Sequence, residues 1–132
     1  MPKAEGMIFE FQDESAIKPE LLETIDYDGN KQEIIYETDE LSAVCPFSGL
    51  PDYGVLNIGY IPNDKIIELK SLKYYITSFR NVGIYQEALT NRIYNDLFEL
   101  LDPEFLRIET DYNTRGGIDA NCVMDSEMQD RG

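Results

Sequence analysis

Glu68-Leu69-Lys70-Ser71-Leu72-Lys73-Tyr74-Tyr75-Ile76-Thr77-Ser78-Phe79 is where the hydrophobic period of this chain changes. Upstream, residues 53–61 place Leu56, Ile58 and Tyr60 at every second position, the spacing of a half-buried strand. From residue 68 onward Leu69, Leu72, Ile76 and Phe79 recur at helical spacing, while Lys70, Lys73, Thr77 and Arg80 trace a different face. Asn81-Val82-Gly83 is expected to break this helix. A second helix should follow, with Tyr85, Leu89, Ile93, Leu97 and Leu101 every fourth residue and a stop at Asp102-Pro103. Alternation returns over residues 104–112 and again at Ile118, Ala120, Cys122 and Met124, with Arg115-Gly116-Gly117 as the loop between. Residues 33–38 read as a short first strand, and Pro62-Asn63-Asp64 as a turn.

The resulting order is strand, strand, helix, helix, strand, strand. Helices clustered between two strand pairs imply an α+β layer, an antiparallel four-stranded sheet with both helices on one face. Residues 1–132 are expected to form one domain, with its core over about 32–124 and a lead-in over 1–31 that ends at an Asp28-Gly29-Asn30 turn. The polar segment 125–132 is expected to be a disordered tail. Open sheet edges need covering or pairing, so an oligomer is expected.

The formal charge of −15, from 26 acids against 11 bases, argues against a general nucleic-acid binder. Such proteins place lysines and arginines on phosphates, and this surface would mostly repel them. No stretch approaches the ~20 apolar residues that span a bilayer, and no signal-peptide pattern opens the chain. With only Cys45 and Cys122, a disulfide framework is excluded and free thiols in a reducing cytoplasm are expected. Histidine is absent, which removes Ser-His-Asp and Cys-His catalysis and histidine-zinc sites. No metal is expected.

Cys45 lies in Val44-Cys45-Pro46-Phe47-Ser48-Gly49-Leu50-Pro51-Asp52, a Pro- and Gly-rich connection of the kind that often holds reactive groups. A free cysteine is most often a small buried hydrophobe, a reading that suits Cys122 inside its apolar alternation. A nucleophilic thiol needs its reference pKa of about 8.5 lowered, or a partner that manages protons. Without histidine that partner is a carboxylate, a lysine, a tyrosine or a backbone dipole. Asp52 is the nearest acid, and Gly49-Leu50-Pro51 can fold it back toward Cys45, although an aspartate after proline is more often a turn residue. Lys65, Lys70, Lys73 and Arg80 concentrate positive charge within a short span of an acidic chain. A lysine-bearing helix is usually a solvated face, yet this stripe could also receive nucleotide phosphates, with Ser71 adding a hydroxyl. No Gly-x-Gly-x-x-Gly or Walker pattern is present. Glu87, after Gln86 at the start of the second helix, suits the helix dipole or a purine-like base edge, and Glu68 before the first helix has the same ambiguity.

The segments Val44–Asp52, Glu68–Tyr75, Ser78-Phe79-Arg80-Asn81 and Arg115-Gly116-Gly117-Ile118 resemble, in order and spacing, those of the short form of the NADPH-dependent 7-cyano-7-deazaguanine reductases, across roughly residues 20 to 124. The octapeptide from Glu68 is the most specific of them. This resemblance implies a tunnelling fold assembled as two stacked pentamers, with sites between subunits. It implies Cys45 as the thiol that adds to the nitrile and Asp52 as the acid that protonates its nitrogen. It implies Ile67, Glu68, Leu69, Gln86 and Glu87 as substrate contacts, and Lys70, Ser71 and Lys73 as the NADPH-binding residues. Gln86 departs from the family, which commonly has histidine there. Two other functions are weighed beside the reductase. An amidinotransferase of the archaeosine type would add ammonia to the same nitrile in tRNA, but such relatives lack the octapeptide. A non-catalytic purine- or pterin-binding member would need neither Cys45 nor Asp52.

Overall fold

The computed structural model describes residues 3–130. Its centre is an antiparallel sheet in the order β2-β3-β5-β6, formed by Ile34–Val44 (β2), Pro51–Ile61 (β3), Phe105–Arg115 (β5) and Ile118–Asp125 (β6). The alternation seen in the sequence fixes its register. Ile58 pairs with Tyr36 on one side and Ile108 on the other, and Leu56 pairs with Thr38 and Thr110. These side chains meet two helices, Leu69–Thr77 (α1) and Gln86–Leu101 (α2), over one contiguous core. The tunnelling-fold arrangement ββααββ is therefore present.

Strand β2 runs six residues beyond the expected end at Thr38. Between Thr38 and Leu41 the register slips by one residue against β3, so Tyr36 and Thr38 face the core before the bulge and Leu41 and Ala43 after it. A bulge resets the phase of side chains, so the two-residue alternation in the sequence breaks after Thr38 although the strand continues. Helix α1 is capped by Glu68, whose carboxylate accepts the N–H groups of Lys70 at 3.1 Å and Ser71 at 2.6 Å. It ends at Thr77 rather than at Asn81. Tight turns carry the chain on, with Phe79 N–H donating to the Ile76 carbonyl, and Phe79 stays fully buried. Helix α2 buries Leu89, Ile93, Leu97 and Leu101 and stops at Asp102, which takes a left-handed φ of 43° before Pro103.

The lead-in is more structured than its composition suggests. Thr24–Asp26 (β1) pairs antiparallel with Lys65–Ile67 (β4), and Ile17 and Leu22 enter the core. At the other end, Ser126–Gln129 forms a short helix (α3) capped by the Asp125 carboxylate, which corrects the expectation of a disordered tail over that stretch. Residues 131 and 132 lie outside the described residues. Among the described residues no helix is long and apolar enough to cross a membrane.

Candidate active site

Strands β2 and β3 form a hairpin whose connection carries the thiol. Val44 pairs with Pro51 and Ala43 with Asp52, so Asp52 stands at the base of the loop and Cys45 two residues beyond its cross-strand partner. The loop closes on itself. Cys45 N–H donates to the Leu50 carbonyl at 2.8 Å, and Gly49 N–H returns to the Cys45 carbonyl at 2.9 Å. Gly49 takes a left-handed φ of 73°, which a residue with a Cβ adopts only under strain. The thiol is half-buried and Asp52 is 9% exposed. The fold-back expected of Gly49-Leu50-Pro51 therefore exists, and it brings acid and thiol to one hairpin.

The connector between the helices is laid against this hairpin. Val44 N–H donates to the Val82 carbonyl at 3.0 Å, and Ile84 N–H donates to the Val44 carbonyl at 3.2 Å. The next residues, Tyr85, Gln86 and Glu87, begin α2 beside the thiol loop, and the Phe47 and Tyr85 rings meet edge to face at 5.9 Å. Glu87 is exposed. Gln86 points inward at 8% exposure, its amide nitrogen donating to the carbonyls of Thr110 at 3.1 Å and Ala120 at 3.2 Å. Thr90 shares a hydroxyl–hydroxyl hydrogen bond with Thr110 at 2.7 Å. These contacts pin the start of α2 to β5 and β6.

Tyr112 was not singled out by sequence reasoning, because in an alternating strand it looks like any core aromatic. Its hydroxyl is buried and makes no hydrogen bond among the described residues. Burial, then the nearby Cys122 and the charge of Glu87, raise its pKa well above the usual phenol value. Cys122 is shifted the same way, by burial and then by Glu87, which keeps that thiol protonated near neutrality. Asp52, Tyr53 and Tyr112 line a cleft of about 380 Å³ with Leu50, Pro51, Asn113 and Thr114.

One chain thus gathers Cys45, Asp52, Gln86 and Glu87 at one end of the sheet. The approach to the octapeptide is elsewhere. Ile67 N–H donates to the Tyr60 hydroxyl at 3.1 Å, and Tyr60 lies eight residues along β3 from Asp52. At strand rise this is about 26 Å, far more than a fused-ring base can bridge. Ile67 is 2% exposed, whereas Leu69 is largely exposed. The Ser71 N–H, followed by the weaker bond from Lys70, holds Glu68 below the usual carboxylate range. Ser71 does not share the lysine face. It is buried, its hydroxyl accepting the Glu23 N–H at 2.9 Å and donating to the Glu68 carbonyl at 2.7 Å. Lys70 and Lys73 are exposed one turn apart, with the Lys73 ammonium 3.9 Å from the Glu40 carboxylate. That pair is mostly solvated and holds the lysine only weakly.

A mixed α+β chain with an antiparallel four-stranded sheet and a thiol hairpin defines a class, and comparison with known proteins places it. Residues 51–131 match the model of the QueF-like protein family, and the chain belongs to that family. It is similar to the proteins of Thermotoga petrophila and Thermotoga maritima named NADPH-dependent 7-cyano-7-deazaguanine reductase, each 58% identical over 96% of this chain and 93% of the relative. The protein of the same name from Thermoanaerobacter pseudethanolicus is 50% identical over 86% of both chains. Among solved structures, the apo archaeosine synthase QueF-Like matches with a TM-score of 0.64 over 76% of this chain and 96% of its own. At 18% identity that likeness speaks to the fold alone.

Proposed function

We propose that this chain reduces the nitrile of 7-cyano-7-deazaguanine to a primary amine with NADPH, the step that supplies the aminomethyl base for queuosine in tRNA. The observation that carries this reading is the 58% identity to reductases of that name over nearly the whole chain. The hairpin supports it by carrying a thiol and a carboxylate on one loop and its base, in a chain without histidine.

Cys45 Sγ forms a bond to the nitrile carbon, and the carbon–nitrogen triple bond becomes the double bond of a thioimide. The proton given up by the thiol reaches the nitrile nitrogen through Asp52. This covalent step turns a poor hydride acceptor into a better one. Two hydride equivalents from NADPH, with two protons, complete the amine, and the carbon–sulfur bond breaks to return the thiol. Glu87 accepts hydrogen bonds from the base edge. Gln86 acts through Glu87, because its amide nitrogen is committed to the sheet. Lys70 and Lys73, exposed one turn apart, fit cofactor phosphates as point charges, and Ser71 holds the start of their helix in place.

Ile67, just before the octapeptide, stands about 26 Å along the sheet from Asp52 within a chain, so a complete substrate site takes Cys45, Asp52 and Glu87 from one subunit and the octapeptide from another. Edge-paired rings, two pentamers stacked as a decamer, supply that arrangement. The −15 charge suits a free base rather than tRNA as substrate, and a cytoplasmic setting keeps both thiols reduced. The experiment is intact-mass analysis with the nitrile alone. One substrate mass should be added at Cys45, and an adduct that persists in Cys45→Ala would refute the assignment.

A further inference from the structure

The segment before the first turn of the lead-in crosses both pieces of backbone that hold the site. Phe9 N–H donates to the Ser48 carbonyl at 2.8 Å, at the tip of the thiol loop. Three residues later Gln12 N–H donates to the Asn81 carbonyl at 2.8 Å, and Gly83 N–H donates back to the Gln12 carbonyl at 2.8 Å. Gln12 and Val82 form a parallel bridge there, and Val44 and Gly83 form another. The segment therefore ties the Cys45 loop to the connector that delivers Glu87. Two glycines make room for it. A Cβ on Gly49 would drive into the Phe9 carbonyl, and a Cβ on Gly83 would strike the Phe11 ring. The family match begins only at residue 51, well past this segment.

We infer that residues 9–12 are a positioning strap: Phe9, Phe11 and Gln12 fix the thiol of Cys45 relative to Glu87. None of them touches substrate in this account. The physical argument is one of alignment. The Cys45 loop is closed by its own short hydrogen bonds and held at Val44 and by the Phe47–Tyr85 ring contact, and the strap adds a hold on Ser48 at its tip. A nucleophile displaced by about 1 Å can lose on the order of 100-fold in rate, so a modest loosening is enough to be read in kinetics. The inference rests on the reductase reading for its catalytic consequence, though not for its effect on the thiol.

The test uses two variants of the full chain, Phe9→Pro, which removes the N–H given to Ser48, and Phe11→Ala, which uncovers Gly83. Phe11→Leu serves as the conservative control. Three quantities are measured: the rate of nitrile adduct formation at Cys45, the rate of Cys45 alkylation by iodoacetamide followed by peptide mass mapping, and Tm. The strap predicts opposite signs. Adduct formation falls about 10-fold because alignment is lost, while alkylation rises about threefold because the loop opens to a small reagent. The KM for NADPH should not change, since the strap's hydrogen bonds run to Ser48 and to the Asn81–Gly83 connector and not to the lysine helix, and Phe11→Leu should recover most of the adduct rate. If Phe11→Ala fails to fold, Phe9→Pro decides alone. Unchanged adduct and alkylation rates in a variant whose first residues have become protease-sensitive would overturn the inference. So would a parallel fall of both rates in step with Tm, which would mean a merely stabilising segment. A rise in alkylation in a protein that forms no nitrile adduct at all would uphold the strap and refute the reductase reading.

Discussion

Replacing Gln86 by methionine keeps its length and removes its amide. In the structure the amide nitrogen donates to the carbonyls of Thr110 and Ala120 at 3.1 and 3.2 Å, and it lies 3.3 Å from the Thr110 hydroxyl. With the side chain 8% exposed, water can replace these bonds only poorly. Each carbonyl keeps a second lone pair and the Thr110 hydroxyl keeps Thr90, so the loss should be about 1–2 kcal/mol rather than the full cost of two orphaned groups. At roughly 2.1 cal/mol/K per residue, the chain's unfolding entropy converts this to a Tm decrease of about 4–7 °C. Because Gln86 and Thr90 together fix the first turn of α2, Glu87 should also lose its aim. The KM for the nitrile then rises while the KM for NADPH does not. The assay is a thermal melt alongside steady-state kinetics with each substrate varied in turn. Gln86→His offers ring N–H donors to the same place and should retain reduction. An unchanged Tm in Gln86→Met, or restored activity in Gln86→His from an inactive parent, would refute the reasoning that this position acts by orientation alone.

Other outcomes follow from the same geometry. Asp52→Asn should bind the nitrile but turn over ~10²–10⁴-fold more slowly, since a lost general acid costs that much; single-turnover rates check it. Glu68→Ala should lower Tm at neutral pH. Because the folded pKa of Glu68 lies below the ordinary value of 4.5, its stabilising effect is present above that value and fades as pH falls through the folded one. Melts of the two proteins should therefore converge in acid, and a gap that widens there would count against the cap. Lys70→Ala or Lys73→Ala should weaken NADPH binding and reduce its salt dependence. Mixing refolded Cys45→Ala and Lys70→Ala chains should restore about a quarter of the sites by random pairing across a shared interface. No recovery from two well-folded variants would place the whole site in one chain.

The sheet and helices were legible because their burial follows simple periods. Leu56, Ile58 and Tyr60 alternate toward the core, and Leu89, Ile93, Leu97 and Leu101 repeat once per turn. Where a period breaks, sequence reasoning failed. The bulge before Leu41 hid half of β2, and the three-residue strands β1 and β4 are too short to show alternation at all. The hairpin was readable because Pro46, Gly49 and Pro51 mark a turn around a lone thiol. The inward course of Gln86 and Ser71 was not, since a polar residue on a helix gives no sign of which buried carbonyl or N–H it will meet. The strap was hidden for a related reason. Its hydrogen bonds are backbone to backbone across long sequence separations, and backbone donors are the same for every residue type except proline.

The most direct measurement is the stoichiometry of the reaction itself. Purified protein is mixed with 7-cyano-7-deazaguanine and excess NADPH, loss of cofactor absorbance is followed, and the product is identified by mass. Two NADPH consumed per aminomethyl product, with no turnover in Cys45→Ala, is the result this account predicts. NADPH left intact beside well-folded wild-type protein, or equal turnover in Cys45→Ala, would contradict it.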